Sequence, residues 1–221
     1  MMRSIVHSLR SVWRAFTAAP VWCLVTAALG TGAIVTGWPL LSIPPFLVFL
    51  FVLYFFRSPW RETPEDPDLL YSSADGVVVR TGPCESGVHR AGRAQRVLVF
   101  MSPLDVHRNT APLAAVVDEV RHIEGKFVPA YREGMESINE RTSIFFGTGE
   151  GTVVVTQIAG ILARRIVCRA RPGTGYRQGE EFGLIRFGSA NEIVFGDDWE
   201  IVVAPGQRVR AGLTVIARKK R

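Results

Sequence analysis

Cysteine and histidine are scarce in this chain of 221 residues, which contains three cysteines and four histidines. Cys23 lies in an apolar segment, and Cys84 and Cys168 do not have the spacing of metal ligands. The sequence has no Cys-x-x-Cys motif and no pair of histidines at helical spacing, so it does not predict a zinc or iron site. So few isolated cysteines are typical of a reducing compartment, where disulfides are rare.

A nucleic-acid-binding signature is also missing, although the formal net charge is +6. The basic residues are scattered along the chain, whereas nucleic-acid-binding proteins concentrate them in a patch or a recognised motif. We therefore predict no nucleic-acid partner. Attraction to anionic lipid is the simpler explanation of the charge, because the chain also contains a long apolar segment.

Charge is absent from residues 15–56, which are rich in Leu, Val, Ala and Phe. A single helix of that length would be about twice as long as the hydrocarbon core of a bilayer is thick. The sequence "TGWP" at residues 36–39 divides the segment into apolar runs at 21–35 and 40–56. The pattern predicts an α-helical membrane hairpin over residues 15–56, preceded by a basic segment over residues 1–14.

Arginines flank the predicted hairpin on both sides, with Arg3, Arg10 and Arg14 before it and Arg57 and Arg61 after it. The positive-inside rule then predicts a protein of the cell membrane with both ends of the hairpin, and the body, in the cytoplasm. A secretory signal peptide is the alternative. It is disfavoured because the second apolar run follows at once and no small-x-small cleavage site precedes a polar start.

The rest of the chain has the texture of a β protein. Residues 57–70 are rich in Pro and charge and predict a linker, and residues 71–221 consist of short Val- and Ile-rich runs separated by Gly, Pro and Asp. The stretch "REGMESINERT" is either a polar helix or a loop. The ending "PGQRVRAGLTVIAR" is similar to the hairpin of lipoyl-type folds, without a lysine at its tip. We predict a mainly β, barrel-sandwich or lipoyl-like body.

Three polar clusters lie between the apolar runs. They contain Asp75 in "SSADGVV", Asp105 and His107 in "FMSPLDVHRNTAP", and Gly188 and Ser189 in "RFGSANEIVF". Each cluster alone is typical of a turn. Together, however, Ser189, His107 and Asp75 supply the side chains of a Ser-His-Asp hydrolase, although Ser189 is not in a G-x-S-x-G elbow.

The motifs "SSADGVV", "FMSPLDVHRNTAP", "NER", "QIAGILARRIV" and "GEEFGLIRFGS" occur in one order, in a match that runs from about residue 40 to the end. In this combination the chain resembles phosphatidylserine decarboxylase, in the short, archaeal-like form of this pyruvoyl-dependent family. The resemblance implies a proenzyme that cuts itself between Gly188 and Ser189. The large chain, 1–188, and the small chain, 189–221, would remain associated. Ser189 would become the covalent pyruvoyl cofactor, and no metal is implied.

The resemblance also implies roles for individual residues. The Ser189 hydroxyl would attack the Gly188 carbonyl, and glycine permits that close approach because it has no Cβ. A histidine supported by an aspartate serves as the base, which corresponds to His107 and Asp75. Many members have two histidines in "Y-H-R-x-H-x-P", whereas this chain has Thr110 at the second position. That departure leaves open which residue is the base during self-cleavage.

The mature enzyme would form a Schiff base between its pyruvoyl group and the amine of phosphatidylserine in the membrane, and would release carbon dioxide and phosphatidylethanolamine. Arg108, Arg141 and Arg186 are candidates to bind the phosphate, since a guanidinium group matches phosphate oxygens. The sequence does not rank them.

Two alternatives keep parts of this interpretation. A non-enzymatic membrane adaptor with a lipoyl-like β domain would remain one polypeptide of 24.4 kDa. A pyruvoyl enzyme for a free amino acid would have the same chemistry, but a soluble substrate does not require a membrane hairpin.

Overall fold

The computed structural model describes residues 11–17, 19–85, 93–128, 134–149, 151–160, 165–186 and 189–220. It divides into two compact units, Met1–Trp60 and Arg61–Arg221. The boundary lies within the segment that the sequence predicts to be a linker.

The first unit is helical. Its elements are α1 (Ser11–Thr17), α2 (Pro20–Val35), a 3₁₀ helix (Pro39–Ser42) and α3 (Ile43–Phe55). Proline begins α2 and the 3₁₀ helix and lies in the first turn of α3, where its fixed φ suits a helix and its missing N–H is not needed. The chain turns between α2 and the 3₁₀ helix at Gly37, which has φ +82°, so the predicted break at residues 36–39 is confirmed.

Many large apolar side chains of this unit are exposed, including Val35, Leu40 and Phe46. Among the described helices, none alone is both long and apolar enough to span a bilayer. By length and composition, the bent pair of α1 and α2, with 94° between them, is compatible with one span.

The second unit is mainly β, as the sequence predicts. Its single described helix, α4, is one turn at Met135–Ile138, so the described part of "REGMESINERT" is mostly not helical. Residues 132 and 133 of that stretch lie outside the described residues. The strands are β1 (Leu69–Tyr71), β2 (Gly76–Glu85), β3 (Arg93–Met101), β4 (Arg108–Thr110), β5 (Ala115–Ile123), β6 (Arg141–Thr148), β7 (Gly151–Ala159), β8 (Ile166–Cys168), β9 (Gly175–Tyr176), β10 (Glu181–Ile185), β11 (Ser189–Gly196), β12 (Trp199–Ile201), β13 (Arg208–Val209) and β14 (Val215–Lys219).

The strands form three antiparallel sheets. The largest has eight strands in the order β13-β2-β3-β11-β7-β6-β5-β9, and two smaller sheets have the orders β1-β14-β12 and β4-β10-β8. Strand β11 therefore lies inside the large sheet, paired with β3 on one side and β7 on the other. The C-terminal segment joins two sheets, because β13 pairs with β2 whereas β14 pairs with β1 and β12.

The two faces of β11 serve different parts of the core, since side chains alternate along a strand. Ile193 and Phe195 belong to the main apolar cluster, whereas Ala190 packs in a smaller cluster with Met135 of α4. The main cluster also contains apolar residues from most other strands, among them Val97, Val99, Ile144, Phe146, Val155, Phe182 and Ile216. Ser189 and Asn191 have the same parity as Ile193 and therefore lie on the face of the main cluster.

The close approach of two strands requires glycine at the start of β2. Gly76 has φ +156°, and a Cβ at this position would collide with the backbone carbonyl oxygen of Phe100 on β3. The "SSADGVV" motif thus brings Asp75 directly against the large sheet.

Candidate functional site

Ser189 is the first residue of β11 and is fully buried. Its Cα partners are Met101 on β3 and Ala159 on β7. The Ser189 hydroxyl donates a hydrogen bond to the Met101 sulfur, at 3.4 Å. A thioether is a weak acceptor, so this contact holds the hydroxyl without a strong competing interaction. Gly188, the other half of the predicted cleavage site, lies outside the described residues.

A short row of polar side chains follows Ser189 on an otherwise apolar face. Asn191 is directly opposite Gln157 of β7, and both are fully buried. Gln157 Nε2 donates to Asn109 Oδ1 at 2.8 Å. Asn109 Nδ2 in turn donates to the Ser73 carbonyl at 3.3 Å and contacts the Met101 sulfur at 4.0 Å. The three predicted motifs therefore converge on this polar row.

Several polar atoms of this row have no hydrogen-bond partner within the described ranges. They are both amide atoms of Asn191 and Oε1 of Gln157. A buried polar atom without a partner costs about 1–3 kcal/mol. The site thus has unused hydrogen-bonding capacity immediately beside Ser189, on the same face of the sheet.

His107 is buried just before β4. Its Nδ1 lies 3.0 Å from the backbone carbonyl oxygen of Asp105. A carbonyl oxygen only accepts, so Nδ1 carries the proton, and in the neutral ring Nε2 has the lone pair that a general base needs. The backbone carbonyl oxygen of His107 also accepts a hydrogen bond from the N–H of Ile185, at 3.0 Å. This bond holds the backbone of His107, just before β4, against β10.

Asp105 holds the loop that positions His107. Its Oδ2 accepts hydrogen bonds from the backbone N–H and the hydroxyl of Ser102, at 2.9 and 2.8 Å, and its Oδ1 is 3.1 Å from an Arg208 nitrogen. The turn predicted for "SPLD" is confirmed by the bond from Asp105 N to Ser102 O. Thr110, at the place of the family's second histidine, has a buried hydroxyl, and a neutral hydroxyl is not a general base near neutral pH.

The Asp75 carboxylate is buried and engaged by Arg61 through both oxygens, at 2.5 and 2.7 Å. It also accepts the backbone N–H of Ala211 at 2.8 Å. This bidentate, charge-assisted pairing ties the "SSADGVV" loop to the beginning of the body and to the C-terminal segment. The support of His107 by Asp75 remains a prediction.

The three arginines named as phosphate ligands have different surroundings. Arg108 lies 2.7 Å from Glu181, which it shares with Arg169. Arg141 donates to the carbonyl oxygens of Ser137 and Asn139, at 3.0 and 3.2 Å. Arg186 lies instead beside another arginine, Arg165, and burial together with that positive charge lowers the pKa of the Arg186 guanidinium.

The cysteines of the body offer no reactive thiolate. Burial raises the pKa of the Cys84 and Cys168 thiols, so both are neutral near pH 7. In the part of the chain that the structure describes, no three His, Cys, Asp or Glu side chains form a group that would hold a metal ion.

Sequence reasoning did not identify Asn109, Gln157, Asn191 or Arg61 as site residues. A signal existed for two of them, because Gln157 and Asn191 interrupt apolar runs with the parity that faces the core. For Arg61 no local signal existed. It resembled one more arginine next to an apolar segment, and its pairing with Asp75 depends on the fold.

Comparison with known proteins agrees with the resemblance. The family model described as phosphatidylserine decarboxylase matches residues 48–217. Among the relatives, the phosphatidylserine decarboxylase proenzyme of Solibacter usitatus is 44% identical over 195 residues, which are 87% of this chain and 92% of the relative. The proenzyme of the same name from Carboxydothermus hydrogenoformans is 41% identical over 202 residues, 90% of this chain and 94% of the relative.

An archaeal relative has a different substrate in its name. The putative archaetidylserine decarboxylase proenzyme of Methanococcoides burtonii is 40% identical over 200 residues, 89% of this chain and 90% of the relative. Both kinds of relative are proenzymes named for the decarboxylation of a serine-containing lipid. Since the family model and these relatives each cover most of the chain, the chain belongs to the phosphatidylserine decarboxylase family.

Proposed function

We propose that this protein is a pyruvoyl-dependent phosphatidylserine decarboxylase, made as a self-cleaving proenzyme, that converts phosphatidylserine into phosphatidylethanolamine. The observation that carries the proposal is the buried Ser189 hydroxyl at the start of β11, beside a polar row with unused hydrogen-bonding capacity. A serine needed only for folding would not require such neighbours. Membership of the family supports the same reaction.

Self-cleavage requires a nucleophile and a base. Ser189 Oγ loses its proton to the base and bonds to the Gly188 carbonyl carbon, while the Gly188–Ser189 amide bond breaks and leaves an ester. Loss of the Ser189 α-proton then eliminates the upstream chain as a carboxylate. The dehydroalanine that remains reacts with water, releases ammonia and becomes the pyruvoyl group. We assign the base to His107 Nε2, because Nδ1 donates to the Asp105 carbonyl, and we propose that the Asp75 carboxylate supports the protonated ring through its negative charge.

The neighbours of Ser189 fit a pyruvoyl group. Asn191 would offer a donor and an acceptor to the carbonyl oxygens at residue 189 and to an incoming amine, and Gln157 would offer a further acceptor on the same face. The pyruvoyl carbonyl supplies an electrophile for the substrate amine and accepts the electrons that remain when carbon dioxide leaves. The other side chains on this face are mostly buried and apolar.

The large and small chains are proposed to stay together after cleavage. The small chain, 189–221, would contain β11 to β14, and three of these strands pair with β1, β2, β3 or β7 of the large chain. The apolar cluster likewise includes residues from both sides of the cut. In the finer assignment of the fold, the body over residues 71–221 is a barrel-sandwich of lipoyl-like type.

Residues 15–56 are proposed to anchor the protein in the cell membrane as a hairpin, with the body in the cytoplasm. Support comes from the exposed apolar side chains of α2 and α3 and from the arginines that flank the segment. A membrane anchor suits an enzyme that acts on a lipid, because the substrate can then react without leaving the bilayer.

Purified protein is expected to consist of two chains, 1–188 and a fragment from residue 189 with a blocked N-terminus. Ser189→Ala should remain a single chain of 24.4 kDa without activity, because it lacks the nucleophile and the precursor of the carbonyl. Intact mass spectrometry and carbon dioxide release measure the two effects. Ser143→Ala, which removes a hydroxyl bound to Thr156 on β7, is the matched control and should cleave normally. Active protein with the mass of the uncut chain would refute the proposal.

Cyanoborohydride added during turnover is expected to attach the lipid covalently to the small chain. A carbonyl at residue 189 reacts with the substrate amine, and the reductant makes the resulting bond permanent. Mass spectrometry of the fragment measures the attachment. A serine hydrolase would keep its hydroxyl and form an ester that the reductant does not capture, and an adaptor would capture nothing. Turnover without any attachment to the small chain would therefore argue against the pyruvoyl group.

His107→Ala is expected to slow cleavage or turnover by about 10²–10⁴-fold, the usual contribution of a general base. Asp75→Asn should impair the same steps less, while lowering thermal stability because Arg61 loses its partner. The cleaved fraction over time, carbon dioxide release and the melting temperature separate these effects. His122→Ala, which removes a half-exposed ring bonded to Thr142, is the control. Normal processing and turnover in His107→Ala would transfer the role of base to another residue.

Deletion of residues 15–56 is expected to release the body from membranes without preventing self-cleavage. The reacting residues all lie in the second compact unit, whereas access to lipid is assigned to the first. Vesicle flotation measures membrane binding and intact mass measures cleavage. A truncated body that still floats with vesicles would show that another surface binds the membrane.

A further inference from the structure

Two arginines lie side by side at the end of the sheet that leads to Ser189. Strands β8 and β10 pair antiparallel, with Ile166 opposite Ile185. The next pair in this register is Arg165 and Arg186, and the backbone N–H of Arg186 donates to the Arg165 carbonyl at 3.2 Å. Directly opposite residues of an antiparallel pair project to the same side of the sheet.

This arrangement concentrates positive charge. Burial and the neighbouring Arg165 both disfavour the charged form of Arg186 and lower its pKa. A few residues away, Arg108 and Arg169 both form ion pairs with Glu181. Arg165 is exposed and has no side-chain hydrogen bond or ion pair among the residues that the structure describes. Like charges that a fold brings together favour the binding of an anion between them.

The pair lies close to the reacting residue in the chain. Ser189 is three residues after Arg186, so their Cα atoms are at most about 11 Å apart. On the neighbouring segment, β7 ends at Ala159, opposite Ser189, and β8 begins at Ile166, opposite Ile185. Along both segments of the chain, the two arginines therefore lie between the residues that pair at Ser189 and the residues that pair β8 with β10.

We propose that Arg165 and Arg186 together bind the phosphodiester group of the lipid substrate at the rim of the site. This inference rests on the proposed function and deepens it. In a phosphatidylserine headgroup, only the serine Cα, Cβ and Oγ separate the amine from the phosphorus. With the amine at residue 189, the phosphate must remain nearby. The half-buried Arg186 and the exposed Arg165 suit a group that lies between the protein interior and the lipid surface.

The phosphate is a better ligand for these arginines than the substrate carboxylate. Decarboxylation requires the carboxylate to lose its charge, so an ion pair with that group would stabilise the ground state more than the transition state. The phosphate keeps its charge throughout the reaction. Binding it lowers KM and fixes the headgroup without opposing the chemical step.

The test measures binding and kinetics separately, on the processed full-length enzyme in detergent. Glycerophosphoethanolamine serves as a soluble ligand that has the phosphodiester but no carboxylate, and ethanolamine serves as the ligand without phosphate. Calorimetry should show about 10- to 100-fold weaker binding of glycerophosphoethanolamine to Arg165→Ala and Arg186→Ala, the effect of losing a hydrogen-bonded charge. The KM for phosphatidylserine should rise by a similar factor, with kcat nearly unchanged.

Arg169→Ala is the matched control, since it removes a nearby exposed arginine that Glu181 already compensates. It should leave both ligands and KM unaffected, and Arg165→Lys should retain part of the affinity. Arg186 is close to the cleavage site, so Arg186→Ala could impair self-cleavage. Arg165→Ala then still tests phosphate binding in a processed enzyme. Unchanged binding of glycerophosphoethanolamine in Arg165→Ala, or an equal loss for ethanolamine, would overturn the inference. Uncut, inactive wild-type protein would instead refute the proposed function.

Discussion

The pairing of β11 with β3 and β7 is the constraint on which the rest of the molecule depends. It buries Ser189 at the first position of a strand that is hydrogen-bonded on both sides. A side chain at the end of a fixed strand has a defined orientation toward its neighbours. The same pairing holds the polypeptide after residue 189 in the core, so a cut immediately before the strand need not release it.

Burying a row of polar side chains within an apolar face lowers the stability of the fold, and this loss of stability restricts the possible roles of the site. Replacing Asn191 by an apolar residue would be neutral or favourable for folding, because both of its side-chain amide atoms are buried without a partner among the described residues. Natural proteins keep such groups mostly where function needs them. The stability of this region therefore depends on what occupies it, because a carbonyl formed at residue 189 could accept from Asn191 Nδ2, and a substrate amine could donate to the amide oxygens of Asn191 and Gln157.

The sequence predicted the helices, the mainly β body and the motifs, because each depends on local composition or alternation. The apolar run before Gln157 and the break at residues 36–39 are readable without any partner strand. The pairings of Asp75 with Arg61 and of Gln157 with Asn109 were not predictable, since they join residues brought together only by strand register. Thr110 shows the limit of resemblance as well, because a motif can match while one of its reacting side chains is absent.

Strand register also determines which charged side chains lie around Arg186. Strand β10 has Glu181 at one end, where it neutralises two arginines, and leads to Arg186 at the other. One short strand thus separates two arginines that share a carboxylate from an arginine whose pKa is lowered by burial and a neighbouring arginine. The ion pair between Arg108 and Glu181 joins β4 to β10, and the bond from Ile185 N to the His107 carbonyl oxygen holds the backbone of His107 at the other end of β10. The end that leads to Arg186 is close to Ser189 in the chain, so in the proposed complex the phosphate of the lipid would bring negative charge to the end of β10 that lies nearest the reacting group.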